Sequence, residues 1–200
     1  LIFAFIIPKW IYLTGNLQDA FGPFVYSMAD LLFGPIWAVS LVTIILSLRK
    51  YIGKHAPMRM SIALMVAFLA AGMMVLAACI RSSNRNYHLT HPELHLEEST
   101  TILTVWTTIV QGVIATGWHF LGWALIMIAS SGWTSNRLPK VLCIIYWCAG
   151  ITALFVYVFP ILEGFAIALS IVWATWQGIL FWKEISEETD LPEEILNQNE

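Results

Sequence analysis

The chain has 200 residues, of which 58% are hydrophobic and only 12% are charged, and its mean hydropathy is +0.74. These values exclude an ordinary soluble globular domain. Seven of the thirteen acidic residues lie in the last seventeen positions, so the net charge of -3 reflects a tail and gives no indication of nucleic-acid binding. The remaining charges separate long apolar runs, which predicts an all-α, polytopic transmembrane helix bundle surrounded by membrane lipids.

The apolar runs predict about six membrane spans, because a spanning helix needs roughly 20 apolar residues. The first run, residues 1–7, is too short to span, and we expect the sequence to begin partway through a first helix. Further spans are predicted over residues 31–48, 61–80, 101–133, 141–159 and 161–182. A polar loop is expected over residues 81–100 and a tight turn at Pro160. Residues 1–183 then form the bundle, and residues 184–200 form an acidic tail.

Counting basic residues by loop predicts the orientation, since cytoplasmic loops carry the excess of Lys and Arg. One side holds Arg49, Lys50, Lys54, Arg59, Arg137, Lys140 and Lys183. The other side holds Lys9, Arg81 and Arg85. Seven against three predicts a multi-pass cell-membrane protein whose N-terminus and C-terminus are both cytoplasmic.

Polar residues form one stripe on each of two predicted spans. On the fourth span, residues within an arc of about 80° are Thr104, Thr108, Gln111, Ala115, His119 and Gly122. On the sixth span, residues at seven-position intervals are Glu163, Ser170 and Gln177. One interpretation is that both stripes are helix-packing faces. The other is that they face each other across a ligand pocket, with His119 as a proton-active or ligand-binding group and Glu163 near its outer mouth.

The candidate ligand-binding residues are therefore Thr108, Gln111, His119, Glu163, Ser170 and Gln177. A second candidate site lies in the expected outer loop, where His88, His91 and His95 have the donor type that Zn²⁺ or Cu²⁺ accepts. Pro92 interrupts that segment, and a solvated loop is the alternative interpretation.

No catalytic residue and no cofactor are assigned. The spans contain no GxSxG, HExxH or paired-aspartate motif. His119 is the one histidine within an apolar span, whereas haem ligation in a bundle usually takes two axial ligands. The deeper tryptophans are explained by helix packing and lipid contact as well as by a flat cofactor.

Several short motifs carry a resemblance to a known family. They are Gly122 in a Gly-Trp-Ala-Leu-Ile run, Ser131-Gly132, Leu138-Pro139-Lys140, Ala149-Gly150-Ile151 and Trp176-Gln177-Gly178. Through them, residues 117–183 resemble the C-terminal half of a bacterial family of small six-helix membrane proteins whose domain has no known function. The resemblance implies a membrane fold, and with it a bacterial inner-membrane location, but no catalytic residues.

Three functions are consistent with these observations. The first is a non-catalytic accessory or structural subunit of a larger membrane complex, whose partners are other membrane-protein subunits. The second is a small transporter or ligand-binding membrane protein that uses the two polar stripes. The third is extracytoplasmic metal binding by the histidines at positions 88, 91 and 95.

Overall fold

The protein is described by a computed structural model, which covers residues 24–90 and 96–189. Every regular element in these ranges is helical, as predicted from the composition. The elements are α1 (Phe24–Leu31), a π-helical segment (Leu32–Ile36), α2 (Trp37–Ile52), α3 (Pro57–Thr90), α4 (Leu96–Ser135), α5 (Lys140–Phe155) and α6 (Leu162–Thr189).

Four helical segments are long and apolar enough to cross a membrane. They are Met28–Ile52, Pro57–Arg85, Thr100–Ser135 and Leu162–Lys183. The helix Lys140–Phe155 is apolar but shorter. The membrane prediction is therefore confirmed as several apolar helices, whereas the count of six is not. The predicted partial span over residues 1–7 lies outside the described residues.

The expected polar loop over residues 81–100 is wrong for most of its length. Helix α3 continues to Thr90, and α4 already begins at Leu96. No proline or glycine interrupts residues 81–90, so nothing in the backbone stops the helix where its side chains become polar. The change from apolar to polar residues therefore indicates where α3 leaves apolar surroundings. It does not indicate where the helix ends.

The helix ends near the basic clusters follow the sequence more closely. Pro57 is the first residue of α3, a position where its missing N–H costs no hydrogen bond. Asn136, with φ of 52°, ends α4 in the left-handed conformation that asparagine tolerates. The turn expected at Pro160 is present within residues 156–161, but α5 ends at Phe155, four residues before the predicted end of its span.

Each long helix packs mainly against its neighbour in the sequence, from α2 against α3 through to α5 against α6. Helix α3 contributes a buried face of small residues: Ala63, Ala67, Ala70, Ala71, Ala77 and Ala78. Small side chains let helix backbones approach closely, which is how helices associate in lipid. One such approach joins α4 and α5, where a Cβ atom on Gly122 would lie 2.7 Å from the Gly150 carbonyl oxygen.

The π-helical segment joins α1 and α2 without a gap in the helical backbone. Pro35 lies within it and has no N–H to donate, so the wider helical turn accommodates the ring. Gly34 is buried against α3, where an added Cβ would lie 2.5 Å from the Cβ of Ala78. A larger residue at position 34 would therefore push α3 away.

The two ends of the bundle differ chemically. The order of the helices along the chain determines which turns lie at each end. The basic end holds the α2–α3 and α4–α5 turns and Lys183, and it carries the seven basic residues counted above. The opposite end holds Arg81, Arg85 and the α5–α6 turn. Asp30 and Glu163, the acidic residues whose side chains the structure describes, both lie at the opposite end.

Candidate functional site

A buried carboxylate anchors the opposite end of the bundle. Asp30 of α1 is 3% exposed and accepts a hydrogen bond of 2.9 Å from Arg85 Nη2, while Arg81 Nε lies 3.3 Å from its other oxygen. The two arginines are four residues apart and so share one face of α3. The Arg85 guanidinium also lies over the Tyr26 ring, 5.0 Å from the centroid. This cluster attaches α1 to the C-terminal part of α3.

A cavity of about 370 Å³ opens beside the ion pairs, between α3 and α4. Its polar lining comes from Arg81, Asn84, Arg85, Thr107 and Gln111, and its apolar lining from Leu103, Trp106 and Val110. The Oδ1 atom of Asn84 is buried without a hydrogen-bond partner among the described residues. The cavity therefore combines hydrogen-bonding groups with the large aromatic side chain of Trp106.

A second cleft, of about 290 Å³, lies on the other side of Gln111. It is lined by Thr108, Gln111, Gly112, Ile114, Ala115, Val156, Tyr157, Pro160 and Glu163. The sequence-predicted residues Thr108, Gln111 and Glu163 are thus brought together where the α5–α6 turn passes α4. The Thr108 hydroxyl donates within its own helix to the Thr104 carbonyl, at 2.8 Å.

His119 lies farther along α4 than this cleft and is not among its lining residues. Its ring is exposed on the side of the bundle, where Trp123 Nε1 donates to its Nε2 at 3.2 Å. Its Nδ1 lies 3.5 Å from the Leu154 carbonyl oxygen of α5, a long contact that suits the Nδ1–H tautomer. His119 and Glu163, which the pocket interpretation places in one space, therefore do not line this cleft together.

Ser170 and Gln177 face the interior of the bundle against α5. The Tyr146 hydroxyl donates to Gln177 Oε1 at 3.3 Å, and the Tyr146 ring packs on Trp173 with centroids 5.2 Å apart. Ser170 Oγ, Trp173 Nε1 and Gln177 Nε2 are buried without hydrogen-bond partners among the described residues. Ser170 and Gln177 of the α6 stripe therefore lie on a buried face of the helix and keep polar atoms without partners there.

The proposed metal-binding histidines cannot be placed as a group. His88 belongs to α3, while His91 and His95 lie outside the described residues. Metal binding there stays a prediction. Within the described residues, no three His, Cys, Asp or Glu side chains converge as a metal site would require.

Comparison of the chain with protein-family models, curated proteins and solved structures gave no match. The resemblance to a bacterial membrane family stays a prediction. Gly122 and Gly150, which carry part of that resemblance, lie against each other where α4 approaches α5.

Sequence reasoning missed the ion-paired cluster because it assigned Asp30 and both arginines to loops. Two features of the sequence indicate this cluster. Arg81 and Arg85 follow an apolar run at helical spacing, and Asp30 is one of only two acidic residues before position 93. An acid at the start of one span and two bases at the end of the next lie at the same membrane face, where they can pair.

Proposed function

We propose that the chain is a non-catalytic subunit of a larger membrane complex, and that the first part of α4 packs against a different membrane protein. The observation that supports this most is the exposure of α4 between Thr100 and Ile109, where eight of ten residues are exposed. Val105 and Ile109 are 53% and 44% exposed and share one face of the helix.

This surface lies at the same level along the bundle axis as charged side chains, which favours a protein partner over lipid. The neighbouring residues Trp106 and Val110 line the cavity that also contains Arg81 and Arg85. A bilayer presents headgroups, not acyl chains, at the height of such charged side chains. An apolar helix face at that height is better covered by an apolar helix of another subunit, and exposed apolar patches of this kind mark interaction sites.

Site-specific photo-crosslinking in native membranes tests this proposal. A photoreactive amino acid at Val105 should give a discrete adduct with a second protein. The matched control is Val172, which is 46% exposed on the apolar part of α6 and should give lipid adducts. Lipid adducts alone at both positions would overturn the proposal, and so would an adduct of twice the chain's own mass, which would indicate self-association.

The cleft at the α5–α6 turn supports a second candidate function, which is binding or transport of a small polar ligand. It places the Glu163 carboxyl group and the Gln111 amide around one space of about 290 Å³. Glu163→Gln together with Gln111→Leu should abolish retention of any co-purifying small molecule, as measured by native mass spectrometry. Retention equal to that of the unmodified protein would exclude this cleft.

The basic end is proposed to face the cytoplasm of a bacterial cell, with both termini inside and the chain in the inner membrane. Support comes from the seven basic residues at that end and from the positive-inside rule.

A further inference from the structure

A third cavity lies at the basic end, independent of the clefts on which the proposed function depends. Its volume is about 370 Å³. It lies between the end of α2, the α4–α5 turn and α6, and its lining residues are Tyr51, Arg137, Leu138, Pro139, Gln177, Leu180, Phe181 and Lys183.

The charged groups among the described lining residues of this cavity have one sign. They are Arg137 and Lys183, which come from different elements, and no described lining residue is acidic. Neither of these two side chains forms an ion pair with a described residue. Two unneutralised cations that face one space attract an anion, and a guanidinium can hold a phosphate through two parallel hydrogen bonds.

Neutral donors add to the cations. Gln177 is 1% exposed, and its Nε2 group has no hydrogen-bond partner among the described residues, because Tyr146 engages only the carbonyl oxygen of that amide. Leu138 and Pro139 lead directly into α5, whose N-terminus has no side-chain cap. The free N–H groups of a first helical turn and the positive end of the helix dipole favour an anion with several acceptor oxygens.

We propose that this cavity binds a phosphate group, held by Arg137, Lys183 and the Gln177 amide at the start of α5. The phosphate belongs either to the headgroup of an anionic phospholipid or to a soluble phosphate. Basic pockets between spanning helices are known to hold anionic headgroups, and the walls formed by Leu180 and Phe181 suit the adjoining glycerol and acyl carbons.

Native mass spectrometry of the full chain, released from nanodiscs that contain equal amounts of phosphatidylglycerol and phosphatidylcholine, tests the proposal. The unmodified protein should retain phosphatidylglycerol preferentially. Arg137→Gln combined with Lys183→Gln should reduce that preference about tenfold or more, since both charge-assisted hydrogen bonds to the phosphate are lost. Both side chains are exposed, so the double variant should fold. The matched control is Arg49→Gln with Lys54→Gln, which removes two charges at the same end outside the cavity.

A second arm distinguishes the two sources of phosphate. Inorganic phosphate is titrated onto the protein in phosphatidylcholine nanodiscs while the thermal unfolding temperature is followed. A rise in the unmodified protein that is absent in the double variant, without preferential retention of phosphatidylglycerol, assigns the site to a soluble phosphate. The proposal is overturned if neither arm separates the double variant from the unmodified protein, or if the control variant loses as much as the double variant.

Discussion

Asp30 shows how a single residue can determine the position of a helix. Its carboxylate is nearly inaccessible and faces two guanidinium groups, so its removal leaves two like charges close together without the carboxylate that separates them. Breaking a buried ion pair by removing one partner costs several kcal/mol, which is more than the intact pair contributes.

Asp30→Asn is therefore expected to lower the free energy of unfolding by about 3 kcal/mol, measured by denaturant unfolding in mixed micelles. The control is Glu163→Gln, which removes another acid at this end and should cost less than about 1 kcal/mol because the side chain is only partly buried. Adding Arg85→Gln to Asp30→Asn should recover part of the loss. Equal stability of Asp30→Asn and the unmodified protein would show that the cluster does not hold α1 in place.

A second residue-scale prediction concerns the hydrogen bond between α5 and α6. Tyr146→Phe removes the hydroxyl that donates to Gln177 and leaves that buried acceptor unsatisfied, so we expect a loss of about 1 kcal/mol. The same unfolding measurement detects it. Tyr157→Phe is the matched control, since Tyr157 is 71% exposed and its hydroxyl should contribute almost nothing. A loss of equal size in both variants would contradict a specific role for the bond.

At the scale of helices, the approach of α4 to α5 depends on two residues without side chains. A Cβ on Gly122 would meet the Gly150 carbonyl oxygen and the Leu154 backbone nitrogen, and a Cβ on Gly150 would lie 2.9 Å from the Gly122 carbonyl oxygen. Backbone atoms cannot move aside as a flexible side chain can, so the two helices would have to separate.

Gly122→Ala and Gly150→Ala should each lower the free energy of unfolding by about 2 kcal/mol through overpacking. Thermal unfolding in detergent measures the loss. Gly112→Ala is the control on the same helix, because an added Cβ there meets no atom within 4 Å and alanine is the better helix former. The close approach would be refuted if alanine were tolerated equally at positions 112 and 122.

The helices also show which features the sequence could predict. Proline and loop charge located the turns at Pro57 and Pro160 correctly, since both depend on local chemistry. Hydropathy could not locate the end of α3, because Arg81 to Thr90 are polar yet remain helical. The Asp30–Arg85 pair joins residues 55 positions apart, and only the packing of α1 on α3 brings them together.

The same limit applies to the candidate site. The stripe on α4 was identified from helical spacing, and Thr108, Gln111 and Glu163 do line one cleft. Spacing along one helix cannot say which other helix lies opposite it. Helix α6 packs on α5, so Gln177 meets Tyr146, and His119 remains on the outside of the bundle.

For the whole molecule, the orientation proposed above gives a direct labelling experiment. In a variant without its three native cysteines, Lys54→Cys and Arg137→Cys each introduce a single cysteine. Each should react with a membrane-impermeant maleimide only when the reagent has access to the cytoplasmic face. A cysteine at Tyr157, in the α5–α6 turn, should react from the opposite face. The reason is that an odd number of helices, one or three, separates each of the first two positions from the third. Labelling of all three from one face would exclude the arrangement.

The short helix α5 has a consequence for the surrounding lipid. Its 16 residues rise about 24 Å, whereas the hydrocarbon core of a typical bilayer measures about 30 Å. Its neighbours α4 and α6 are long enough to cross the thicker core. In a bilayer α5 is thus shorter than the helices on either side of it, and lipid next to α5 must compress or that part of the bundle must tilt. Such mismatch favours thin membranes, and the compressed lipid then lies beside the α5–α6 turn, which Glu163 follows.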